Sequence, residues 1–265
     1  MATARAPLSL KARRLATDPA YRREWRELRR LSRLAPYTRG ESELPGCEVT
    51  FSHPQAFVAQ YRQMYQDRVY AANLGSAPTI LDVGANYALA AIFLKQTHPE
   101  ADVIAFEADP AIADIAEANI VAAGLSGVTL VRAAAWTQAG TMRFSSEGGD
   151  AGHLGDHGGI DVPTVRLRDY LDREIDLLKM DIEGAEVDVI LDCSDRLPRV
   201  RNLVCEYHSY AGRPQRLGEL LAAIEGAGLR VVVQHDMTPA HPLVSVPTDP
   251  SGMDMRLNVW AYRPD

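Results

Sequence analysis

The sequence predicts an α/β fold: a doubly wound, mostly parallel sheet with an antiparallel edge pair, preceded by a helical extension. Three observations carry this. From Thr79 onward, short apolar runs of β character alternate with helical patterns, as parallel strands joined by right-handed helical crossovers require. The last two runs, 229–234 and 256–262, have no helical pattern between them and are expected to pair antiparallel at the edge. Acids recur where the runs end, at Asp82, Glu107, Asp181 and Glu206, and open sheets of this kind bind ligands at the carboxyl ends of their strands.

Taken in order, residues 8–35 read as helix broken at Asp18-Pro19, with Leu28, Leu31 and Leu34 at helical spacing. Turn chemistry follows over 36–46, then a short strand over 47–51. A helix is expected over 54–70, carrying Phe57, Tyr61, Met64 and Tyr65. We divide the chain into a basic helical extension, 1–44, and a main domain, 45–265. Strand 79–83 leads to a helix that stops before Pro99, because proline disfavours helix in the residue preceding it. After strand 102–106, Asp109-Pro110 supplies an N-cap with proline at the first helical position, and Gly124 ends that helix. Strand 128–133 comes next. Strands over 140–144 and 160–167 flank a Gly-rich loop, followed by strands 175–180 and 201–205.

Composition bounds the partners. A chain of 265 residues buries one sizeable core plus an appendage, and no apolar run approaches the ~18 residues of a membrane helix. The start is Arg-rich without the apolar stretch of an export signal, and the three scattered cysteines, Cys47, Cys193 and Cys205, suit a reducing cytoplasm, the compartment expected here. Residues 1–40 carry 11 Lys/Arg against 3 Asp/Glu, whereas the remainder carries 17 against 32. An acidic body argues against nucleic acid as a partner. The basic arm suits an anionic membrane surface, an acidic protein, or the body of its own chain. Asp150, His153, Asp156 and His157 crowd the loop over 145–159, but their spacing matches no metal-ligand pattern, and the glycines favour a lid or connection.

The central stretch is Thr79-Ile-Leu-Asp-Val-Gly-Ala-Asn-Tyr-Ala-Leu-Ala90. A strand feeding a helix through Gly84-Ala85-Asn86 is expected to leave backbone N–H groups free and to let a ligand approach closely. Asp82, at the strand end, suits a cationic group and would repel a pyrophosphate. One glycine also stands where a dinucleotide fingerprint wants three. The ligand that fits is S-adenosylmethionine, whose ammonium and sulfonium are positive. Glu107, 25 residues beyond Asp82, stands where an acid would bond ribose hydroxyls. The expected cofactor contacts are therefore Asp82, Gly84, Asn86 and Glu107, with Ala135 and Trp136 beside the adenine.

At this point the chain resembles a family. Asp82-Val-Gly-Ala-Asn-Tyr-Ala88, Phe106-Glu-Ala-Asp-Pro110, Lys179-Met-Asp-Ile-Glu-Gly-Ala-Glu186 and Glu206-Tyr-His208 are similar to motifs of the FkbM methyltransferases. The resemblance covers roughly residues 45–235, and 179–186 is its most specific piece. It implies the seven-stranded, Rossmann-like class I methyltransferase fold, S-adenosylmethionine as cofactor, and O-methylation of sugar or natural-product hydroxyls. Ala88 stands where the family has glycine, putting a methyl where the backbone would approach the cofactor. Ala108 replaces the proline after the acid.

Methyl transfer is an in-line displacement, so the enzyme must hold a nucleophile about 3 Å from the methyl carbon. A protonated sugar hydroxyl is a poor nucleophile and needs a base or a metal. His208 is the expected base and Asp181 the group that positions the hydroxyl. Asp181, Glu183 and Glu206 would also suit a Mg²⁺-like ion; the sequence does not separate that chemistry from a general base, and no metal is predicted. The expected function is transfer of a methyl group to a hydroxyl of a glycan or glycosylated metabolite. The competing reading is a non-catalytic nucleotide-binding or scaffold protein.

Overall fold

Asp18 ends one helix and begins the next. It lies between α1 (Leu8–Thr17) and α2 (Pro19–Leu31), and its carboxylate accepts the Tyr21 N–H at 3.0 Å while Pro19 takes the first helical position. The computed structural model describes residues 8–145, 153–154, 159–237, 241, 243–244 and 252–264. The apolar stripe of α2 packs inward: Leu28 and Leu31 join one core cluster with Phe51, Phe57 and Tyr87. The helix expected over 54–70 divides. α3 (Pro54–Tyr61) runs into a π-helical turn, Arg62–Gln66, which keeps Met64 in the core and turns Gln63 toward the sheet's carboxyl edge.

The main sheet contains β1 (Thr79–Val83), β2 (Asp102–Phe106), β3 (Val128–Val131), β4 (Leu177–Met180), β5 (Asn202–Tyr210), β6 (Arg230–Met237) and β7 (Met253–Tyr262). Their order is β6-β7-β5-β4-β1-β2-β3. β7 is antiparallel to both neighbours, and the pairs from β5 across to β3 are parallel. This is the class I methyltransferase arrangement that the family resemblance implies, with the antiparallel edge pair that the helix-free final runs predict. Helices α4 (Leu89–Thr97), α5 (Pro110–Ala122), α6 (Glu186–Asp192) and α7 (Leu217–Gly226) cover the faces. Alternation along β1 divides the core: Ile80 belongs to the cluster with α4 and α5, Leu81 and Val83 to the cluster with α6 and α7. The chain reverses its order between β1 and β4, which opens a crevice at their carboxyl ends.

Two elements depart from expectation. Ala134–Trp136 does not prolong the third strand. It joins a separate sheet with Ile160–Arg166, Gly140–Ser145 and His153–Leu154. β5 runs to Tyr210 instead of stopping at Cys205. Its pairing with β4 ends at Cys205, but β7 continues as its partner, so Glu206 and His208 lie inside a strand that overhangs the end of β4. The loop cluster of Asp150, His153, Asp156 and His157 lies outside the described residues, except for the backbone of His153. Cys47, Cys193 and Cys205 are free and buried. Among the described residues, no helix is long and apolar enough to cross a membrane.

Candidate active site

Gly84, in the turn after β1, packs against the Asp181 backbone at the end of β4. Its φ is +86°, and a Cβ there would lie 1.9 Å from the Asp181 carbonyl oxygen. The close approach is thus made by the protein's own backbone. The turn's N–H groups are also not free, contrary to the expectation above. Gly84 and Ala85 both donate to the Phe106 carbonyl, at 3.1 and 2.8 Å, and Asn86 N–H donates to Glu107 Oε2 at 2.8 Å. The end of β2 therefore satisfies the turn and leaves Glu107 as its polar face. Glu107 Oε1 accepts the Asp109 N–H at 2.8 Å, so each carboxylate oxygen retains one lone-pair direction for a ligand hydroxyl. Burial pushes the Glu107 carboxyl up to about 7, against the pull of these two hydrogen bonds.

Gly84, Asn86, Glu107 and Ala135 line a single cavity of about 230 Å³, together with Asp181. Ala134, Ala135 and Phe144 form its apolar end. Trp136 is not on this wall; it packs, half-buried, against the core cluster beneath Ala135. Asp82 lies under the floor. It is the register partner of Lys179 on β4, and the two buried side chains form an ion pair of 3.0 Å whose alignment is poor for a hydrogen bond. Lys179 also bonds the Gly84 carbonyl, so it ties β1 to β4 directly below the turn. Burial disfavours the Lys179 ammonium, but Asp82, Asp181 and Glu206 hold its pKa above the ordinary value.

The opposite end of the cavity collects charge. Asp181, Glu183 and Glu206 line it, whereas His208 lies behind them with its side chain fully buried. Residues 206 and 208 share a face of the overhanging β5, which brings Glu206 Oε1 within 3.5 Å of His208 Nε2. From the turn after β4, Asp181 Oδ1 approaches Nε2 to 3.9 Å and Glu183 Oε2 to 3.5 Å. Glu183 holds a left-handed φ of 55° and is followed by Gly184 at 98°, a turn that aims both acids inward. The first residue of α6 fixes the ring: Glu186 Oε1 bonds His208 Nδ1 at 2.9 Å, and the Glu186 carboxylate also accepts N–H bonds from Ile182 and Gly184. Among the described residues Nε2 has no hydrogen-bond partner. Burial raises Asp181 to about 6 and Glu183 to about 8, each helped by neighbouring carboxylates. Burial also disfavours ionised Glu206, but His208 and Arg256 bring it down to about 2. Burial opposes the imidazolium too, yet Glu186 leads the surrounding acids in lifting His208 well above its usual range.

Several site residues were not anticipated from the sequence. Gln63 donates to Glu206 Oε2 at 2.6 Å from the π turn, and Arg256 on β7 stands 3.3 Å from Glu206 and bonds Asp236. Both come from outside the strand-end pattern. Lys179 had a signal: it precedes Asp181 by two residues in a strand, and so shares its face. The role of Glu186 as the partner of His208 had none, because it depends on how far β5 overhangs.

A crevice at the strand-order reversal, with the buried Glu107 carboxylate toward one end and a cluster of acids at the other, is the setting in which this chain meets its relatives. The residues from 82 to 232 match the Methyltransferase FkbM domain, more than half of the chain, so the protein belongs to the FkbM methyltransferase family and uses S-adenosylmethionine as its methyl donor. It is 31% identical over 199 residues to the methyltransferase sdnD of Sordaria araneosa, across 58% of this chain and 76% of that protein. It is 30% identical over 155 residues to the 2-O-methyltransferase NoeI of Sinorhizobium fredii, across 49% of this chain and 63% of that protein. Among solved structures it superposes on methyltransferase FkbM from Methylobacillus flagellatus KT with a TM-score of 0.48 at 14% identity, over 89% of this chain and 59% of that one.

Proposed function

We propose that the enzyme transfers the methyl group of S-adenosylmethionine to a hydroxyl, that of a sugar in a glycan or glycosylated metabolite, in the cytoplasm. The observation that carries this reading is Asp181: a carboxylate on the cavity wall, raised by burial to about 6, close to the pKa that suits a general base near neutrality. A hydroxyl acceptor has a proton to lose, and Asp181 is the group placed to accept it. The sequence expectation that His208 takes this proton directly is revised. Its ring lies behind Asp181 and is surrounded by acids, so it acts on the acceptor through Asp181 and Glu206. The 2-O-methyltransferase among the relatives is consistent with an oxygen acceptor.

At the other end, Gly84, Asn86 and Glu107 hold the nucleoside of the cofactor, with Glu107 accepting from ribose hydroxyls and Ala135 beside the adenine. Asp82 serves from below, by fixing Lys179 and through it the Gly84 turn; Trp136 backs Ala135 from the core. In the transfer, the acceptor oxygen bonds the methyl carbon, the carbon–sulfur bond breaks, and the sulfonium becomes a neutral thioether. Incubation with methyl-labelled S-adenosylmethionine and a panel of nucleotide sugars, glycosides and oligosaccharides tests the reading, with NMR locating the label. An O-methyl on a sugar is expected. A methyl found on nitrogen or carbon would overturn the acceptor assignment.

A further inference from the structure

The acceptor end of the cavity contains more negative than positive groups, and one buried nitrogen with nothing to bond. Asp181, Glu183, Glu186 and Glu206 converge on His208. The other cations nearby are already engaged: Lys179 with Asp82, and Arg256 with Asp236 as well as Glu206. His208 Nε2 is buried, makes no hydrogen bond among the described residues, and faces carboxylate oxygens 3.5–3.9 Å away. A histidine that no ligand ever meets is normally given a partner for both ring nitrogens, because a buried unsatisfied polar atom costs about 1–3 kcal/mol.

We propose that Asp181, Glu206 and His208 form a divalent-cation site of the Mn²⁺ type, at which the ion binds the acceptor hydroxyl. The inference deepens the methyl-transfer reading and rests on it for the identity of the acceptor. One ligand atom from each of the three residues falls within 4.8 Å of the others, with Nε2 at 3.9 Å from Asp181 Oδ1 and 3.5 Å from Glu206 Oε1. Ligands about 2.1 Å from a shared ion stand roughly 3.0–4.2 Å apart, so little contraction is needed. Glu186 supplies the support such a site requires. By accepting from Nδ1–H it fixes the ring so that Nε2 meets the ion once the ion takes the place of the Nε2 proton, the carboxylate–histidine–metal arrangement. Glu186 is itself anchored by two backbone N–H groups, so the ring does not swing. Asp181 and Glu206 border the cavity and His208 closes the rear, which leaves the coordination positions on the cavity side for water or an acceptor oxygen.

The donor set selects the ion. Two carboxylates alone would suit Mg²⁺, but an imidazole nitrogen shifts preference toward Mn²⁺ and its neighbours. The chemistry balances without another reactant. The ion acidifies the bound hydroxyl, the proton passes to Asp181 Oδ2, and the resulting oxygen attacks the methyl carbon as the carbon–sulfur bond breaks.

The full chain, stripped with EDTA, is titrated with Mn²⁺ and followed by electron paramagnetic resonance, with S-adenosylmethionine binding measured calorimetrically in parallel. One tightly bound Mn²⁺ per chain is expected, with electron spin-echo modulation from an imidazole nitrogen. His208→Ala should weaken Mn²⁺ at least about hundredfold and Glu186→Gln about tenfold, with cofactor affinity unchanged. The spin-echo signal of the unaltered protein decides the case even if a variant fails to fold. A chain that binds S-adenosylmethionine but no Mn²⁺, or that binds Mn²⁺ without nitrogen modulation, overturns the site and leaves the methyltransferase reading standing. Mn²⁺ bound through imidazole in a chain that never methylates an oxygen acceptor would support the site and overturn the proposed function.

Discussion

The two ends of the cavity solve opposite problems. At the cofactor end every donor of the 84–86 turn is already bonded, two to the Phe106 carbonyl and one to Glu107, and the glycine is shaped around the Asp181 carbonyl. At the acceptor end three carboxylates face a single ring nitrogen that bonds none of them. The first region has its backbone donors satisfied before any ligand arrives, which suits the proposal that a cofactor binds there in one pose. The second is incomplete without a cation, a proton or an acceptor, which suits chemistry. Groups whose charge is balanced within the protein build the frame, and groups left unbalanced are available to the reaction.

The sharpest way to break this contrast is to unbalance the frame. Lys179→Met leaves Asp82 as a buried charge without a partner, and such a loss costs about 3–5 kcal/mol. The urea midpoint should fall accordingly, and the double variant with Asp82→Leu should recover most of the loss. If the single variant loses less than about 1 kcal/mol, the pair is not what holds β1 to β4. The matching change at the other end should leave the fold alone. Asp181→Asn removes the proposed proton acceptor without removing its bulk, and turnover should drop by about 10²–10³-fold with cofactor affinity within about threefold. A parallel loss of cofactor binding would place Asp181 in the frame.

A smaller effect separates the two ends by pH. Glu107 sits near 7 because it is buried, with Asp109 beside it and Lys179 the nearest cation in its field. In the proposed cofactor pose ribose hydroxyls donate to Glu107, so the cofactor binds the ionised form and lowers its pKa. Affinity should therefore rise as pH rises through 7, by roughly tenfold between pH 6 and pH 8. Folding stability runs the other way at this group: the folded protein holds the proton more tightly than the unfolded chain, so the contribution of Glu107 declines between about pH 4.5 and 7. Calorimetry across that range should show the affinity trend in the native enzyme and a flat profile in Glu107→Gln.

The same contrast explains what was legible in the sequence. The frame was readable because it is local or repeats along the chain: strand ends at Asp82, Glu107 and Asp181, the cap at Asp109, the proline that opens α5 and the helix-free edge pair all leave one-dimensional signals. The roles assigned from those signals were less secure. Asp82 reads as a ligand for a cation, and the cation proves to be Lys179, visible only once β1 and β4 are in register. His208 reads as a rim residue because nothing in the sequence marks how far β5 runs past β4. Gln63 and Arg256 reach Glu206 from a π turn and from the last strand, distant in sequence and brought close by packing.

Ala88 tests the frame at its finest scale. The family's glycine position invites the view that the methyl group intrudes on the cofactor, yet Ala88 is fully buried, does not line the cavity, and caps α4 with a left-handed φ of 63°. Its cost lies in the backbone. An L-residue in this conformation is disfavoured by about 1–2 kcal/mol. Replacing it with glycine relieves that strain. It also removes a buried methyl group, about 0.8 kcal/mol, and gives the unfolded chain about 0.4–1 kcal/mol of extra conformational freedom. The three contributions nearly cancel, so Ala88→Gly should change stability by less than about 1 kcal/mol, a shift in thermal midpoint of no more than about 4 °C for a chain of this size. Affinity for S-adenosylmethionine should change less than about twofold. A gain of tenfold or more would mean that the methyl group does reach the cofactor, and that the turn is not complete before the ligand binds.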